Sequence, residues 1–217
     1  MEKNGDNYVP ALRYDFLTRF YDPLVRITTR ETTFKRALLK QAALREGQNI
    51  LDLACGTGSL SVAIKNNLEK ANIFAIDADP EILKMARAKA ARHDARIAFE
   101  QGFSDALPYE NETFDRVFST LAFHHLTLDK KIGTLREILR VLKPDGEFHM
   151  ADYGLARTKT QFVLSKIISK LDGFETTHDN IRGRLGLLME ENGFTTVERT
   201  GYFKTIFGTI RLFRSLK

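Results

Sequence analysis

Short apolar runs alternate with longer segments of helical periodicity through the middle of the chain. The apolar runs predict five strands: Asn49–Ala54, Asn72–Ile76, Ile97–Gln101, Arg116–Thr120 and Glu147–Asp152. The segments between them predict three helices: Leu60–Glu69, Pro80–Arg92 and Lys130–Leu142. Strands that alternate with helices are typical of crossover units, so the pattern predicts an α/β fold with a mostly parallel sheet.

Past residue 152 the alternation changes. The remaining segments are predicted as two helices and then two strands: Lys159–Leu171, Asp179–Asn192, Thr195–Thr200 and Phe203–Phe213. A turn at Gly201-Tyr202 is expected to join the two strands. A terminal hairpin on a parallel sheet places one antiparallel strand beside the last parallel one.

The chain before residue 48 has a helical pattern that is unusually aromatic. Ring faces attract cations, so its aromatic residues are candidates for a lid over a positively charged ligand: Tyr14, Phe16, Phe20 and Tyr21. The helical spacing of Leu17, Phe20, Tyr21 and Leu24 favours an apolar stripe packed on the sheet instead. Tyr14 and Tyr21 stay candidates for ligand contact because each ring carries a polar tip.

Composition narrows the classes of protein and partner. The 217 residues suit one domain, and the formal net charge of +5 raises the question of a nucleic acid or membrane partner. The positive charges are spread along the chain, so a basic surface without such a partner is preferred. The one cysteine, Cys55, excludes an internal disulfide and a cysteine-built zinc site. No apolar run approaches the ~18 residues of a membrane span, and no secretory signal is evident, so the cytoplasm is expected.

The first predicted strand runs into a glycine-rich turn, Cys55-Gly56-Thr57-Gly58, which precedes a helix. Glycines let the backbone turn tightly and let a ligand approach, and the helix offers free amide groups. Dinucleotide-binding turns carry a third glycine where this chain has Ser61. Asp52 before the turn would repel a pyrophosphate but suits an ammonium group. Asp77, after the second strand, suits the ribose hydroxyls of either kind of cofactor.

Two adjacent histidines, His124 and His125, follow the fourth predicted strand. Neutral imidazole is the usual proton acceptor near pH 7, so either is a candidate general base or substrate clamp. The alternative is that one of them caps or bonds backbone at the strand–helix junction. No metal site is expected, because adjacent side chains diverge and no third ligand is evident. Asp152 and Tyr153 follow the fifth strand and are candidates for substrate contact, with a turn role as the alternative for Asp152.

Three stretches carry a family resemblance: LDLACGTG at 51–58, LPYENETFDRV at 107–117 and EILRVLKPDGEF at 137–148. In their order and spacing the chain resembles the class I S-adenosylmethionine (SAM)-dependent methyltransferases, in particular the broad group that includes the ubiquinone/menaquinone-biosynthesis C-methyltransferases. The resemblance extends from about Tyr14 to Asp152. It implies a Rossmann-like three-layer α/β/α sandwich with a seven-stranded, mostly parallel sheet and an antiparallel C-terminal strand. It also implies that SAM binds across the carboxyl ends of the strands.

By the family's pattern, Gly56 and Gly58 approach the cofactor, Asp52 lies near its methionine end, and Asp77 takes the ribose hydroxyls. Further candidates for cofactor binding flank these positions or end neighbouring elements: Tyr14, Tyr21, Ala54, Thr57, Ala78, Phe103, Ser104, Thr120 and Leu121. The expected organisation is a single methyltransferase domain. Within it, residues 1–47 form a helical lid, 48–152 the cofactor-binding core, and 153–217 the substrate-side helices and terminal hairpin.

The chain departs from the family's pattern at two places. The family often has an acid after the glycine equivalent to Gly102, in contact with the adenine amine, where this chain has Phe103. Adenine recognition then falls to Ser104 and backbone groups with Phe103 packed on the ring, or to Asp105. Quinone-methylating members typically carry Arg-Asn where this chain has His124-His125, which counts against quinone C-methylation specifically.

The predicted function is SAM-dependent methyl transfer to an oxygen, nitrogen or carbon of a small-molecule acceptor, by a monomer or homodimer without a metal. A nicotinamide-dependent oxidoreductase is the first alternative, and Asp52 and Ser61 count against it. A nucleic-acid methyltransferase is the second, but the Asn/Asp-Pro-Pro-aromatic run typical of amino-methylating enzymes is replaced by Ser-Thr-Leu-Ala-Phe. A non-catalytic SAM-binding protein with the same fold is the third.

Overall fold

A computed structural model describes residues 30–154, 180, 182–205 and 208–217. The predicted lid contacts Tyr14 and Tyr21 and the predicted helix Lys159–Leu171 lie outside these residues. The described chain contains seven strands: β1 (Asn49–Leu53), β2 (Asn72–Asp77), β3 (Ala98–Gln101), β4 (Phe114–Thr120), β5 (Leu142–Gly154), β6 (Thr196–Lys204) and β7 (Thr209–Leu216). Its helices are α1 (Glu31–Ala42), α2 (Ser59–Asn67), α3 (Pro80–Arg92), a 3₁₀ helix (Phe123–His125), α4 (Leu128–Val141) and α5 (Leu185–Glu191).

All seven strands form one sheet in the order β3-β2-β1-β4-β5-β7-β6. The first five in that order are parallel, and β7 is antiparallel to both of its neighbours. Strand order reverses between β1 and β4, which leaves a crevice at their carboxyl ends, where α/β proteins bind ligands. The predicted mostly parallel sheet with an antiparallel C-terminal strand is confirmed.

Helices cover both faces of the sheet. One apolar cluster packs α1 and α2 on the sheet through residues such as Phe34, Leu38 and Leu60. The other packs α4 and α5 on the opposite face through residues such as Ile138 and Leu188. Strands covered on both faces are nearly continuous apolar runs, which is why β1 was identifiable from the sequence. The arrangement confirms the three-layer α/β/α sandwich.

The helix boundaries follow local chemistry. Asp79 caps α3, and its carboxylate accepts hydrogen bonds from Glu81 N at 2.9 Å and Ile82 N at 3.3 Å. Pro80 lies in the first turn, where its missing N–H costs nothing. The helix α3 has its predicted bounds, Pro80–Arg92. Among the described residues, no helix combines the length and apolar character that a membrane crossing requires.

The predicted turn at Gly201-Tyr202 is wrong. Both residues lie inside β6, where Gly201 pairs with Leu212 and Tyr202 with Arg211. The pairing register shifts between Arg199 and Gly201, so the glycine marks a β-bulge rather than a turn. The strands connect between Lys204 and Thr209 instead, which makes the hairpin longer than predicted.

A second difference concerns residues 143–146, which lie before the predicted fifth strand, Glu147–Asp152. They are part of β5, which begins at Leu142 and pairs with β4 at once. The register then shifts between the pairs Phe114–Leu142 and Arg116–Glu147. Residues 143–146 therefore form an irregular part of β5.

A buried histidine links α1 to the sheet. His149 is fully buried, stacks on Phe118 with ring centroids 5.2 Å apart, and lies with Nε2 3.0 Å from Glu147 Oε2. Gln41 Nε2 donates to His149 Nδ1 at 3.1 Å. A ring that accepts at Nδ1 is neutral, and burial lowers the pKa of His149.

We expect His149 to make the protein acid-sensitive. Because the folded state holds the ring neutral among Glu147, Arg116 and Arg214, the unfolded chain binds one proton more below about pH 6.5. The contribution of His149 to the free energy of unfolding therefore falls as pH drops below that value. In His149→Gln, which keeps an amide donor for Glu147 and does not titrate, stability is expected to fall less steeply, by up to about 1.4 kcal/mol per pH unit. Urea unfolding between pH 7.5 and 5 measures this slope, and parallel slopes for the two proteins would contradict the assignment.

Candidate active site

The glycine-rich turn lies between the carboxyl end of β1 and the start of α2. Gly56 and Gly58 have positive φ angles of 55° and 71°. A side chain at Gly58 would place its Cβ 3.1 Å from Ala86 Cβ on α3 and would have to adopt the same left-handed backbone, so packing and conformation both favour glycine here. A Cβ at Gly56 would meet nothing within 4 Å among the residues that the structure describes, so the backbone there leaves space that a ligand can approach.

Asp52 is hydrogen-bonded to the first turn of α2. Its side chain is fully buried, and Oδ2 accepts hydrogen bonds from Ser61 N at 3.1 Å and Ser61 Oγ at 2.5 Å. Burial raises the pKa of Asp52 to about 6. Oδ1 has no hydrogen-bond partner among the described residues. Ser61, which was predicted only as the residue that replaces a third glycine, is thus the partner of Asp52, and nothing in the local sequence pattern indicates this pairing.

Asp77 at the end of β2 holds the glycine turn directly. Its Oδ2 accepts a hydrogen bond from Gly56 N at 2.8 Å, and its Oδ1 accepts one from Asp79 N at 3.1 Å. Burial raises the pKa of the Asp77 carboxyl, which the two backbone donors oppose. The next residue, Ala78, accepts a hydrogen bond from Gln101 Nε2 at 3.3 Å, so the ends of β2 and β3 are joined.

The other two residues of the glycine-rich turn, Thr57 and Cys55, contact neighbouring parts of the protein. Thr57 Oγ1 accepts a hydrogen bond from Lys89 Nζ at 2.7 Å, which also donates to Ser59 Oγ at the same distance. Cys55 is buried, and burial raises the pKa of its thiol, so it packs as a small apolar residue.

Two residues in left-handed backbone conformation mark the carboxyl ends of neighbouring strands. Ala54 follows β1 with φ 53°, and Leu121 follows β4 with φ 55°. Leu121 N donates to Ala151 O at 2.9 Å, and Thr120 pairs with the same Ala151 in the sheet. Side-chain-bearing residues avoid positive φ, and such strain concentrates at functional sites. The predicted cofactor contacts Ala54, Thr120 and Leu121 therefore lie together at the crevice.

The chain after β3 turns toward α4. Phe103 is 46% exposed, and Lys130 Nζ lies 5.8 Å from its ring centroid. Ser104 Oγ lies 2.7 Å from Thr134 Oγ1, within hydrogen-bond distance. Asp105 Oδ2 accepts a hydrogen bond from Lys130 Nζ at 2.8 Å. Both polar candidates for adenine recognition are therefore bonded to α4.

The histidine pair forms most of the 3₁₀ helix after β4. His124 is buried, and its Nδ1 lies 2.8 Å from Asp152 Oδ1. His125 is exposed, with its ring centroid 4.0 Å from that of His124. The closeness of His124 lowers the pKa of His125, since two imidazolium charges at that distance repel.

Asp152, within β5, is fully buried and accepts hydrogen bonds on both oxygens. Phe123 N donates to Oδ2 at 2.8 Å, while Tyr153 N at 2.7 Å and Asn180 Nδ2 at 3.1 Å donate to Oδ1. Burial alone would raise the pKa of Asp152, but His124 and these donors hold it below its usual value. An ionised Asp152 accepts a hydrogen bond from the Nδ1–H of His124. The other ring nitrogen, Nε2, is then the basic nitrogen.

His124 was a predicted candidate base, but its contact with Asp152 was not predicted. A turn role for Asp152 is wrong, because the residue pairs with Arg211 inside the sheet and bonds the histidine. The feature of the sequence that could have identified this partner is an acid at the end of the strand next to the one that carries the histidines. Asn180 gave no signal, because it is 28 residues from Asp152 in the chain. Among the described residues, no three or more His, Cys, Asp or Glu side chains are grouped to hold a metal ion.

Comparisons with known proteins agree with this geometry. A family model described as a methyltransferase domain matches residues 50–146. A demethylmenaquinone methyltransferase of Deinococcus radiodurans is 32% identical over 143 residues, which are 66% of this chain and 56% of the relative. A ubiquinone/menaquinone biosynthesis C-methyltransferase of Citrobacter koseri is 26% identical over 205 residues, covering 85% of this chain and 80% of the relative.

The fold has solved counterparts as well. The crystal structure of a SAM-dependent methyltransferase from Aquifex aeolicus matches with a TM-score of 0.63 and 19% identity, over 84% of this chain and 89% of that chain. Fold, glycine turn and domain match thus define an enzyme that transfers methyl groups. The chain is a SAM-dependent methyltransferase with SAM as its cofactor, and it is similar to the class I group that includes the ubiquinone and menaquinone C-methyltransferases.

Proposed function

We propose that this enzyme methylates an oxygen, nitrogen or carbon of a small-molecule acceptor that gives up a proton, and that His124 takes this proton. The observation that carries the proposal is the contact of 2.8 Å between His124 Nδ1 and Asp152 Oδ1. It lies where β4 and β5 end, beside the strand that leads into the glycine turn. A buried carboxylate that orients a histidine is a common arrangement for a general base.

The cofactor residues keep the roles that the resemblance implies. Open space at Gly56 and the unpartnered Asp52 Oδ1 fit a ligand that carries an ammonium group. Asp77 would hold the ribose hydroxyls from the end of β2 while it also fixes the turn through Gly56 N. Bound SAM supplies an electrophilic methyl group on a sulfonium, and the protein's own task is to orient the acceptor in line with it.

The proton transfer follows from the hydrogen bonds of the described residues. Asp152 accepts a hydrogen bond from the Nδ1–H of His124, so His124 presents Nε2 to the acceptor as the basic nitrogen. As Nε2 takes up the proton, the buried Asp152 charge stabilises the imidazolium that forms. The Tyr153 ring, 5.0 Å from the His124 ring centroid, restricts the orientation of the imidazole from one edge.

A base of this kind matters most for an acceptor with an ionisable hydroxyl, such as a phenol or an enol. Loss of that proton activates the oxygen, and in a ring or enol it also activates the adjacent carbon. The curated relatives from Deinococcus radiodurans and Citrobacter koseri are named for quinone biosynthesis. The family resemblance implies Arg-Asn at this place in quinone-methylating members, where this chain has His124-His125, so the proposal extends to the hydroxyl chemistry of the acceptor and not to a quinone precursor.

The test is a screen of the wild-type protein with SAM against phenols, enols, amines, RNA and DNA, read as release of S-adenosylhomocysteine. Turnover is expected with a hydroxyl-bearing small molecule, and its O-methyl ether, in which the hydroxyl is blocked, is the matched control that should not react. Turnover confined to nucleic acid, or to amines without a hydroxyl, would contradict the proposal.

A further inference from the structure

Asn180 has a buried carboxamide oxygen that no described residue bonds. The residue is fully buried and precedes α5 in the chain. Its Nδ2 donates to Asp152 Oδ1 at 3.1 Å and to Tyr153 O at 3.2 Å, near the carboxyl end of β5. Its Oδ1 has no hydrogen-bond partner among the residues that the structure describes. Leaving a buried acceptor unsatisfied is costly, so the arrangement calls for a donor that a ligand supplies.

The hydrogen bonds of Asn180 fix the orientation of its carboxamide. Both partners of Nδ2 are acceptors, namely the Asp152 carboxylate and the Tyr153 carbonyl. The NH₂ group has two hydrogens, and these two bonds use both of them. A reversed carboxamide would set its oxygen against two acceptors. The end of the Asn180 side chain that is available to a ligand is therefore an acceptor and not a donor.

Asn180 and His124 are held on the same oxygen atom. His124 Nδ1 lies 2.8 Å from Asp152 Oδ1, which also accepts the hydrogen bond from Asn180. The donors of both side chains are thus used within the protein. The atoms that they leave to a ligand are His124 Nε2 and Asn180 Oδ1, and both are acceptors when the imidazole is neutral. A ligand that complements this pair carries two hydrogen-bond donors close together.

We propose that Asn180 is a specificity-determining residue and that the acceptor carries a second hydrogen-bond donor, a hydroxyl or N–H group, close to the hydroxyl that loses its proton. The inference rests on the proposed role of His124 as the base. The first hydroxyl gives its proton to His124 Nε2, and the second group donates to Asn180 Oδ1 and keeps its proton. An acceptor without the second group leaves a buried acceptor of the protein unpaired, which a site of this kind discriminates against.

Matched pairs of acceptors test this with the wild-type protein and SAM, read as release of S-adenosylhomocysteine. Each phenol of the screen is paired with compounds that carry a hydroxyl or amino group on the adjacent ring carbon, as phenol is with catechol and 2-aminophenol. The kcat/KM is expected to be at least about tenfold higher with the second donor, because one more hydrogen bond to a buried group is made. In 2-methoxyphenol the second donor is blocked, and kcat/KM should fall to the value for phenol.

Asn180→Ala separates recognition of the acceptor from support of Asp152. Without the carboxamide oxygen, the ratio of the two kcat/KM values within a pair should fall to about one, whereas a merely structural role would lower both values equally and keep their ratio. If the alanine variant does not fold, Asn180→Ser replaces it and should show the same loss. Asn192→Ala is the matched control and should keep the wild-type ratio, since Asn192 Nδ2 donates to Leu188 O at 2.8 Å at the end of α5.

Equal kcat/KM values within the pairs for wild-type protein would overturn this inference and leave the role of His124 intact. A wild-type ratio that persists in Asn180→Ala and Asn180→Ser would also overturn it. Absence of turnover with every hydroxyl-bearing compound would contradict the proposed function, and this inference would fall with it. The failure of the inference alone is therefore distinguishable from the failure of the proposed function.

Discussion

Replacing His124 with Gln is expected to lower kcat by about 10²- to 10⁴-fold, the usual contribution of a general base. Gln keeps a donor for Asp152 and a similar volume, but it has no basic nitrogen for the acceptor's proton. The KM for SAM should change little, because the cofactor contacts at the glycine turn are untouched. Steady-state kinetics with the acceptor found by the screen measure both parameters.

His125→Gln is the matched control for this change. His125 is the exposed member of the pair, and its side chain has no hydrogen bond to Asp152 among those described, so kcat should stay close to the wild-type value. The two variants thus separate a base from a substrate clamp. Equal losses in both, or no loss in His124→Gln, would contradict the assignment of the proton to His124.

Asp152→Asn is expected to lower kcat by a similarly large factor, about 10²-fold or more. Phe123 N donates to one oxygen of Asp152, whereas Tyr153 N donates to the other, which also contacts His124 Nδ1, so the single amide oxygen of Asn can serve only one of these two places. If it serves Phe123 N, the amide NH₂ faces His124 Nδ1, which reverses the tautomer and leaves Nε2 unable to accept a proton. If it serves Tyr153 N and His124, the imidazolium that forms loses the negative charge that stabilises it. The volume of the side chain is conserved, so the fold should survive.

Asp115→Asn is the control, because Asp115 lies at the other end of the sheet, where β4 begins, and bonds Asn49 N and Lys143. It should retain wild-type kcat even if stability falls. Melting temperatures of both variants separate loss of fold from loss of chemistry. An Asp152→Asn protein with near-normal kcat would show that Asp152 is structural only.

The cofactor half of the fold could be predicted because its signals are local. An apolar run that ends in Asp52 and a glycine turn defines β1 and α2 without any distant contact. Asp79 and Pro80 likewise define the start of α3 by capping alone. These features depend on neighbouring residues in the chain, which a sequence displays directly.

The base and its partners could be predicted only in part. His124 is conspicuous in the sequence, but its function depends on Asp152, which is 28 positions away and comes close only because β4 and β5 are neighbours in the sheet. The turn at Gly201 was predicted wrongly because a glycine suits both a turn and a bulge. Only the pairing of Gly201 with Leu212 decides between the two. Long-range register determines both outcomes.

The most direct test of the account is how the His124→Gln defect depends on the acidity of the acceptor's hydroxyl. The ratio of wild-type to variant kcat would be measured at one pH for a series of ring-substituted acceptors. If His124 takes the proton, the ratio should shrink toward one as the hydroxyl becomes acidic enough to ionise without help. A ratio that is equally large for every acceptor would show that His124 supports the site without taking the proton.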